Sequence, residues 1–380
     1  MYLNCWGMKQ KYKRLGDYIR QVDVRNRDLA VDKLLGLSVN KQFIPSIANT
    51  VGTDMSNYKV VAPNQFVYIA DTSRRGDKIA IALLGGQDKA IVSAIYTVFE
   101  IIIKTELLPE YLMMWFRRPE FDRYARFKSH GSAREVFEWE EMCEVIIPVP
   151  PIEEQRKIVA EYQAIERRIE NNRRLIATLE EAAKAIYRKM FVEDIDPENL
   201  PEGWRMGKLG EIARIKAGGD KPKLFSDNCT DQYRIPVIAN GIENMGVVGY
   251  TLYPVIKDAA ITISARGTIG ACFIRTEPYC PIVRLISVIP HDESFLYYLF
   301  FQLSSKQFKG DGSVQNQLTI PNIEREEVVT PNVQMVDEFN KKFLLIKNTI
   351  ELKIRENSVL TELQSLLFSK LGLSESNNNY

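Results

Sequence analysis

Residues 150–190 read PPIEEQRKIVAEYQAIERRIENNRRLIATLEEAAKAIYRKM. Apolar side chains fall at Ile158, Tyr162, Ile165, Ile169, Ile176, Leu179, Ala183, Ile186 and Met190, in steps of three and four broken by one polar heptad at Asn172–Arg173. That spacing is the narrow a/d seam of a coiled coil, not the wider stripe of a helix lying on a core. At ~1.5 Å per residue the stretch makes a rod of roughly 60 Å. A rod with one apolar seam needs a partner to bury it.

The chain supplies one. An offset of 181 carries the seam onto Phe339, Phe343, Ile346, Ile350, Asn357, Leu360, Leu367 and Leu371 without a gap. It also carries Ile152 onto Val333, Pro150 onto Pro331, and His130-Gly131-Ser132 onto Asp311-Gly312-Ser313. Further upstream RLGDYI (14–19) matches KLGEIA (208–213) at an offset of 194, and Tyr111–Phe121 matches Tyr298–Phe308 at 187. The second half is therefore a diverged copy of the first, whose length changes lie in loops while the rods stay in register.

Around the rods the sequence reads as strands. Phe66–Ala70, Lys78–Leu84 and Ala90–Ile103 are rich in Val, Ile, Tyr and Phe, as are Arg234–Ala239, Val247–Tyr250, Ala259–Ser264, Gly270–Arg275 and Ile282–Ile289. Each set leads to an apolar helix, YLMMWFRR after Pro109 and SFLYYLFFQLSSKQF up to Gly310. The expected fold class is α+β: two β-rich mixed domains separated by two long helices that form an antiparallel coiled coil, with an internal pseudo-two-fold repeat. The expected boundaries are 1–150 and 192–331 for the domains, 151–191 and 332–373 for the helices, and 374–380 for a disordered tail. Asn332 is the expected N-cap of the second rod.

Composition narrows the function. The chain has 380 residues, 45% hydrophobic and 26% charged, with a net charge of +1, which is ordinary for a soluble globular protein. No apolar run reaches the ~18–20 residues of a membrane span, so the expected compartment is the cytoplasm, with no membrane partner. Five cysteines without a CxxC pair and only two histidines argue against a zinc site. The phosphate-loop, HExxH and GxSxG motifs are absent, as are the (N/D)PP(Y/F) and FxGxG motifs of adenine methyltransferases. The expectation is a non-catalytic chain with no metal and no cofactor of its own.

Polar loops flanked by glycine remain, and their chemistry suits groove edges. NTVGTDMSNY offers Asn49, Thr53, Asn57 and Tyr58, and ANGIENMGVVGY offers Asn240, Asn244 and Tyr250. SARG adds Ser264 and Arg266. Basic clusters contribute Arg74, Arg75, Lys78 and Lys128, and the equivalent segments before each rod contribute Ser132, Arg134 and Ser313. Asn pairs bidentately with adenine and Arg with guanine, while Tyr, Ser and Lys hold phosphates. Gly267 and Gly270 fit a strand–turn–strand better than an anion-binding loop.

Several motifs resemble the DNA specificity subunits of type I restriction–modification systems. IPVPPIEEQRKIV (147–159) looks like that family's entry to its first central helix, and IATLEEAAKAIYRKMF (176–191) looks like its exit. EVVTPNVQMVDEF (327–339) is a second copy lacking the Pro-Pro and the EEQ. QFIPSIANTVGTDMSNYKVV, IPVIANGIENMGVVGY and ITISARGTIG look like classes of recognition domain.

The resemblance implies two target-recognition domains, each reading one half of a bipartite site on double-stranded DNA. It implies paired rods that set the gap and dock two methyltransferase subunits, which use S-adenosylmethionine to methylate adenine N6. Restriction/motor subunits using ATP and Mg would complete a host-defence complex. The competing readings are a coiled-coil adaptor without specific DNA binding and a stand-alone nuclease or methyltransferase.

Overall fold

One plan is built twice, and each copy includes part of both rods. The structure is a computed structural model that describes residues 12–46, 52–72, 76, 78–131, 135–308 and 317–372. Unit 1 comprises Met1–Asn172 with Arg355–Tyr380, and unit 2 comprises Arg173–Ile354. The rods, Ile152–Phe191 and Val333–Gly372, are continuous helices of 40 residues each. The units thus cut each rod in its middle, because each half-rod is part of one unit's core. Residues 374–380, the expected tail, lie outside the described residues.

Unit 1 holds a four-stranded antiparallel sheet in the order Ile19–Val22, Thr97–Ile101, Gln65–Ile69, Ala80–Leu83. Unit 2 repeats it as Ala213–Ala217, Ile286–Pro290, Ala260–Ile263, Cys272–Arg275. The central strands Gln65–Ile69, Ala260–Ile263 and Ile286–Pro290 are buried along their whole length, on both faces. Alternation sorts the side chains: Phe66 and Tyr68 pack toward the helices, Val67 and Ile69 toward a second cluster with Val61 and Val92.

The parts shared by the two copies explain the sequence matches. In RLGDYI, Gly16 lies under the Trp139–Cys143 helix, where an added Cβ would sit 2.8 Å from the Cys143 Cβ. In KLGEIA, Gly210 lies under Ile320–Glu324, with 3.1 Å to the Glu324 Cβ. The Tyr111 hydroxyl donates to the Pro148 carbonyl at 3.2 Å, and the equivalent Tyr298 hydroxyl donates to the Val329 carbonyl at 2.6 Å. A short antiparallel strand pair then feeds each rod, Tyr12–Arg14 with Ile146–Pro148 and Arg205–Lys208 with Glu327–Thr330. Asn332 Oδ1 accepts the Met335 N–H at 2.9 Å, the N-cap expected of it.

The rods run antiparallel, as contacts inside each unit show. In unit 1 Tyr162 packs on Phe368 with ring centroids 5.2 Å apart, and Asn172 Nδ2 donates to Asn357 Oδ1 at 2.9 Å. In unit 2 Phe191 meets Phe339 at 5.4 Å. Tyr162, Ile169, Ala183, Phe339, Phe343 and Leu371 of the expected seam are buried, whereas Ile158, Ile165, Ile176, Leu179, Ile186, Met190, Ile346, Ile350, Leu360 and Leu367 are half-buried. The polar heptad proves to be an intramolecular asparagine pair rather than a break. Near its end the buried line runs through Tyr187 and Phe191, because the seam there opens onto the core of unit 2.

Two strand boundaries differ from the sequence reading. Ala90–Ile103 and Ile282–Ile289 are not single strands. The first divides into Ala90–Val92 and Thr97–Ile101, and the second begins only at Ile286. In each a turn hides inside an apolar run that periodicity alone joins up. The helix of the second copy ends at Ser304, short of Gly310.

Candidate nucleic-acid interface

In unit 2 three loops converge on Asn240. Its Nδ2 donates to the Val283 carbonyl at 2.7 Å, and its Oδ1 accepts the Ala265 N–H at 2.7 Å. The half-buried amide is thus spent on tying the Ser264–Gly270 loop to the turn at Val283. Ser264 is 1% exposed, and its Oγ accepts the Gly241 N–H at 3.4 Å. Both tie the loops together: Ser264 is buried, while half-buried Asn240 spends one N–H and one lone pair on these bonds.

Arg266 is exposed on the same loop, and its Nε donates to Gln317 Oε1 at 2.8 Å, with Nη2 bound to the same oxygen. One amide oxygen thereby fixes the plane of the guanidinium. Gly267 and Gly270 take φ of +69° and +85°, the left-handed turn expected of them.

The hairpin tip beside this loop is left-handed at two non-glycine residues, Asn244 (φ 45°) and Met245 (φ 52°). Two such residues in succession form the turn that suits the right-handed twist of a hairpin, and asparagine tolerates it best. Arg275 supports the tip from beneath, with its guanidinium bonded to the Met245 carbonyl and its Nε donating to Thr262 Oγ1 at 3.1 Å. Burial brings the Arg275 pKa down to about 10. Asn244 itself is exposed, and Tyr250 is half-buried on the following strand.

In unit 1 the described part of the first candidate loop is a 3-10 turn, Met55–Asn57, capped by Asp54. Asn57 is exposed, but Arg27 Nη1 donates to its Oδ1 at 2.8 Å and Arg25 Nη1 to its carbonyl at 2.9 Å. Asp23 pairs with Arg25 and Lys59, and the hydrogen bond from Arg25 chiefly holds its carboxyl below the usual range. The result is a pair of arginines, Arg25 and Arg27, around one asparagine. Thr53 and Lys78 are exposed and Tyr58 is half-buried. Lys128 is ion-paired with Glu141 at 3.2 Å, and that hydrogen bond raises its pKa. Asn49, Arg74, Arg75, Ser132, Arg134 and Ser313 lie outside the described residues.

Sequence reading did not single out Arg25, Arg27, Arg275 or Gln317. Arg25 and Arg27 are more than twenty residues from the loop they serve, and only sheet pairing brings them there. One glycine of each copy holds an equivalent place before a sheet-edge strand. Gly76 (φ +62°) precedes the strand Ala80–Leu83 as Gly267 (φ +69°) precedes Cys272–Arg275.

A family model described as the type I restriction modification DNA specificity domain matches the chain twice, over residues 36–181 and 201–361. The chain belongs to that family. The doubled match coincides with the doubled fold and includes most of both rods. A putative type I specificity subunit of Mycoplasma pneumoniae is 34% identical over 142 residues, covering 37% of this chain and 42% of that protein. A second from the same organism is 32% identical over 201 residues, covering 52% of this chain and 54% of that protein. These alignments therefore span about half the length of the relatives, or less.

The specificity subunit of a type I restriction enzyme of Methanocaldococcus jannaschii is 22% identical over 308 residues, covering 72% of this chain and 71% of that protein. In structure the chain resembles the S subunit of the type I system of M. genitalium, with a TM-score of 0.62, 15% identity and 98% of each chain covered. No helix among the described residues is long and apolar enough to cross a membrane.

Proposed function

We propose that this specificity-family chain is the sequence-reading, non-catalytic subunit of a type I restriction–modification complex. The observation that carries the proposal is the repetition of one β-rich domain on two antiparallel rods, with polar loops and exposed Arg and Asn side chains in both copies. Each domain reads one half of a bipartite site on duplex DNA, and the rods set the gap. Two methyltransferase subunits dock along the rods, and restriction/motor subunits join them; S-adenosylmethionine, ATP and Mg belong to those partners. Exposed Leu345, Leu352, Val359 and Leu366, seven residues apart on the second rod, support docking of a partner helix there.

The decisive experiment maps N6-methyladenine across the source genome with and without this chain. A bipartite methylated sequence that disappears on deletion is the expected result. An unchanged methylation map would leave the coiled-coil adaptor reading standing instead.

A further inference from the structure

The turns hidden inside the two apolar runs occupy the same place in the two copies. In unit 1 the Tyr96 N–H donates to the Ser93 carbonyl at 3.1 Å, just before the central strand Thr97–Ile101. In unit 2 the Leu285 N–H donates to the Ile282 carbonyl at 3.0 Å, just before the central strand Ile286–Pro290. Each is a four-residue turn whose third residue projects: Ile95 is 81% exposed, and Arg284 is exposed.

Each turn also abuts a candidate reading segment. Lys59 pairs with Val92, so the strand register carries Asn57 and Tyr58 toward the Ser93–Tyr96 turn. Asn240 binds the Val283 carbonyl directly.

The turns differ in hand. Val283 (φ 53°) and Arg284 (φ 63°) are both left-handed, a conformation that a β-branched residue strongly resists. Neighbouring backbone holds them there: the Val283 N–H donates to the Gly219 carbonyl at 2.9 Å and the Arg284 N–H to the Gly218 carbonyl at 3.2 Å. Gly218 has no room for a side chain, since a Cβ would lie 2.7 Å from the Ile282 nitrogen. Asn240, Gly218 and Gly219 together fix the backbone of Val283 and Arg284. Unlike Arg266, its guanidinium has no partner among the described residues. An exposed isoleucine at one tip and an unpaired arginine fork at the other contribute nothing to either core.

We propose that this turn is a base-reading position in each recognition domain, with Arg284 bonding a guanine edge in one half-site and Ile95 packing on a thymine methyl in the other. A fork of N–H donors matches guanine O6 and N7, and only an apolar side chain gains from the thymine methyl. The inference rests on the DNA-reading function proposed above and adds residues and base classes to it.

The test uses the complex isolated from its own cells through a tag on this chain, with a library of random-sequence duplex DNA as the probe. The unaltered complex should enrich a bipartite sequence; enrichment of none would defeat the DNA-reading function itself. Given that sequence, Arg284→Ala should lose about tenfold or more selectivity at one guanine position of one half-site, leaving the other half intact. Ile95→Ala should relax one thymine position of the opposite half. Arg284→Lys should restore affinity without full selectivity, because a lysine is a point charge and not a fork. Thermal melting should be unchanged in all three, since the side chains are solvent-exposed. Unaltered sequence preference in both alanine variants would overturn the inference, as would a uniform fall in affinity over all sequences, which marks a phosphate contact.

Discussion

In unit 1 the first rod is held by polar side chains. Gln155 is fully buried, accepts the Leu108 N–H at 2.9 Å, and donates to the carbonyls of Glu106 at 2.7 Å and Pro150 at 2.8 Å. Two turns further along the rod, Arg117 Nη1 donates to the Tyr162 hydroxyl and to Glu166. In unit 2 the residue equivalent to Gln155 is Val336, the one equivalent to Tyr162 is Phe343, and the joint is aromatic. Tyr187, Phe191, Tyr298, Phe301, Phe339 and Phe343 pack edge-on, tilted or stacked against one another. The two joints do the same mechanical task with unlike chemistry. What both copies keep is backbone geometry: a glycine beneath a short helix, a tyrosine hydroxyl on the carbonyl of the strand entering the rod, and that strand's pairing. A motif built on Gln155 could therefore disappear from the second copy without disturbing the rod's register.

The comparison breaks most visibly if the aromatic joint is emptied. Phe339 is fully buried and touches four other rings, so Phe339→Ala should cost about 3–5 kcal/mol. Amide exchange in the helix Leu296–Ser304 should quicken, while Pro109–Phe116 in unit 1 keeps its protection. Equal loss of protection in both helices would mean that the joints are not independent.

Gln155→Ala should cost somewhat less, about 2–3 kcal/mol, by leaving one buried N–H and two carbonyls without their partner. Gln155→Val, which installs the unit 2 residue, should not rescue it, because the backbone groups around Leu108 still require an amide. Wild-type stability of Gln155→Val in urea denaturation would show that the latch is dispensable.

A finer contrast lies in the two glycines. Gly16→Ala drives a Cβ against the Cys143 backbone, 3.0 Å from its carbonyl oxygen, and should cost about 1–3 kcal/mol. Gly210→Ala meets Glu324 at 3.1–3.3 Å and should cost less. Melting temperatures of the two single variants would check the order.

Much of this was legible in the sequence, and the reasons for the rest are physical. The rods, their register and the duplication could be read because heptad spacing is local and periodic. Gly16 and Gly210 were visible as a repeated motif, though not as a packing constraint. The joints were not legible, since Gln155 and Val336 look like unrelated residues until their neighbours are known. Neither were the reading turns, because Val283 and Arg284 sit in a run whose composition says strand. Their left-handed conformation is imposed by the distant residues Gly218, Gly219 and Asn240. Candidate residues such as Asn240 and Ser264 are visible for their chemistry, but not the loop-tying bonds that the fold gives them.

The asparagines at the seam give the smallest effect and a change of sign. Asn172 is 3% exposed and bonded to Asn357 across the rods, beside the Arg168–Glu356 ion pair at 2.6 Å. Asn172→Leu alone strands the Asn357 amide against an apolar neighbour and should destabilise unit 1 by about 1 kcal/mol. The double variant Asn172→Leu/Asn357→Leu removes both polar groups and should return stability to the wild-type level or above it. A polar pair at a single seam position costs stability and specifies register, whereas two leucines tolerate a slip of one heptad. A double-mutant cycle in urea measures the sign directly. If the double variant is less stable than either single one, the pair is a net source of stability, and register must be set by the dissimilar joints at the two ends of the seam.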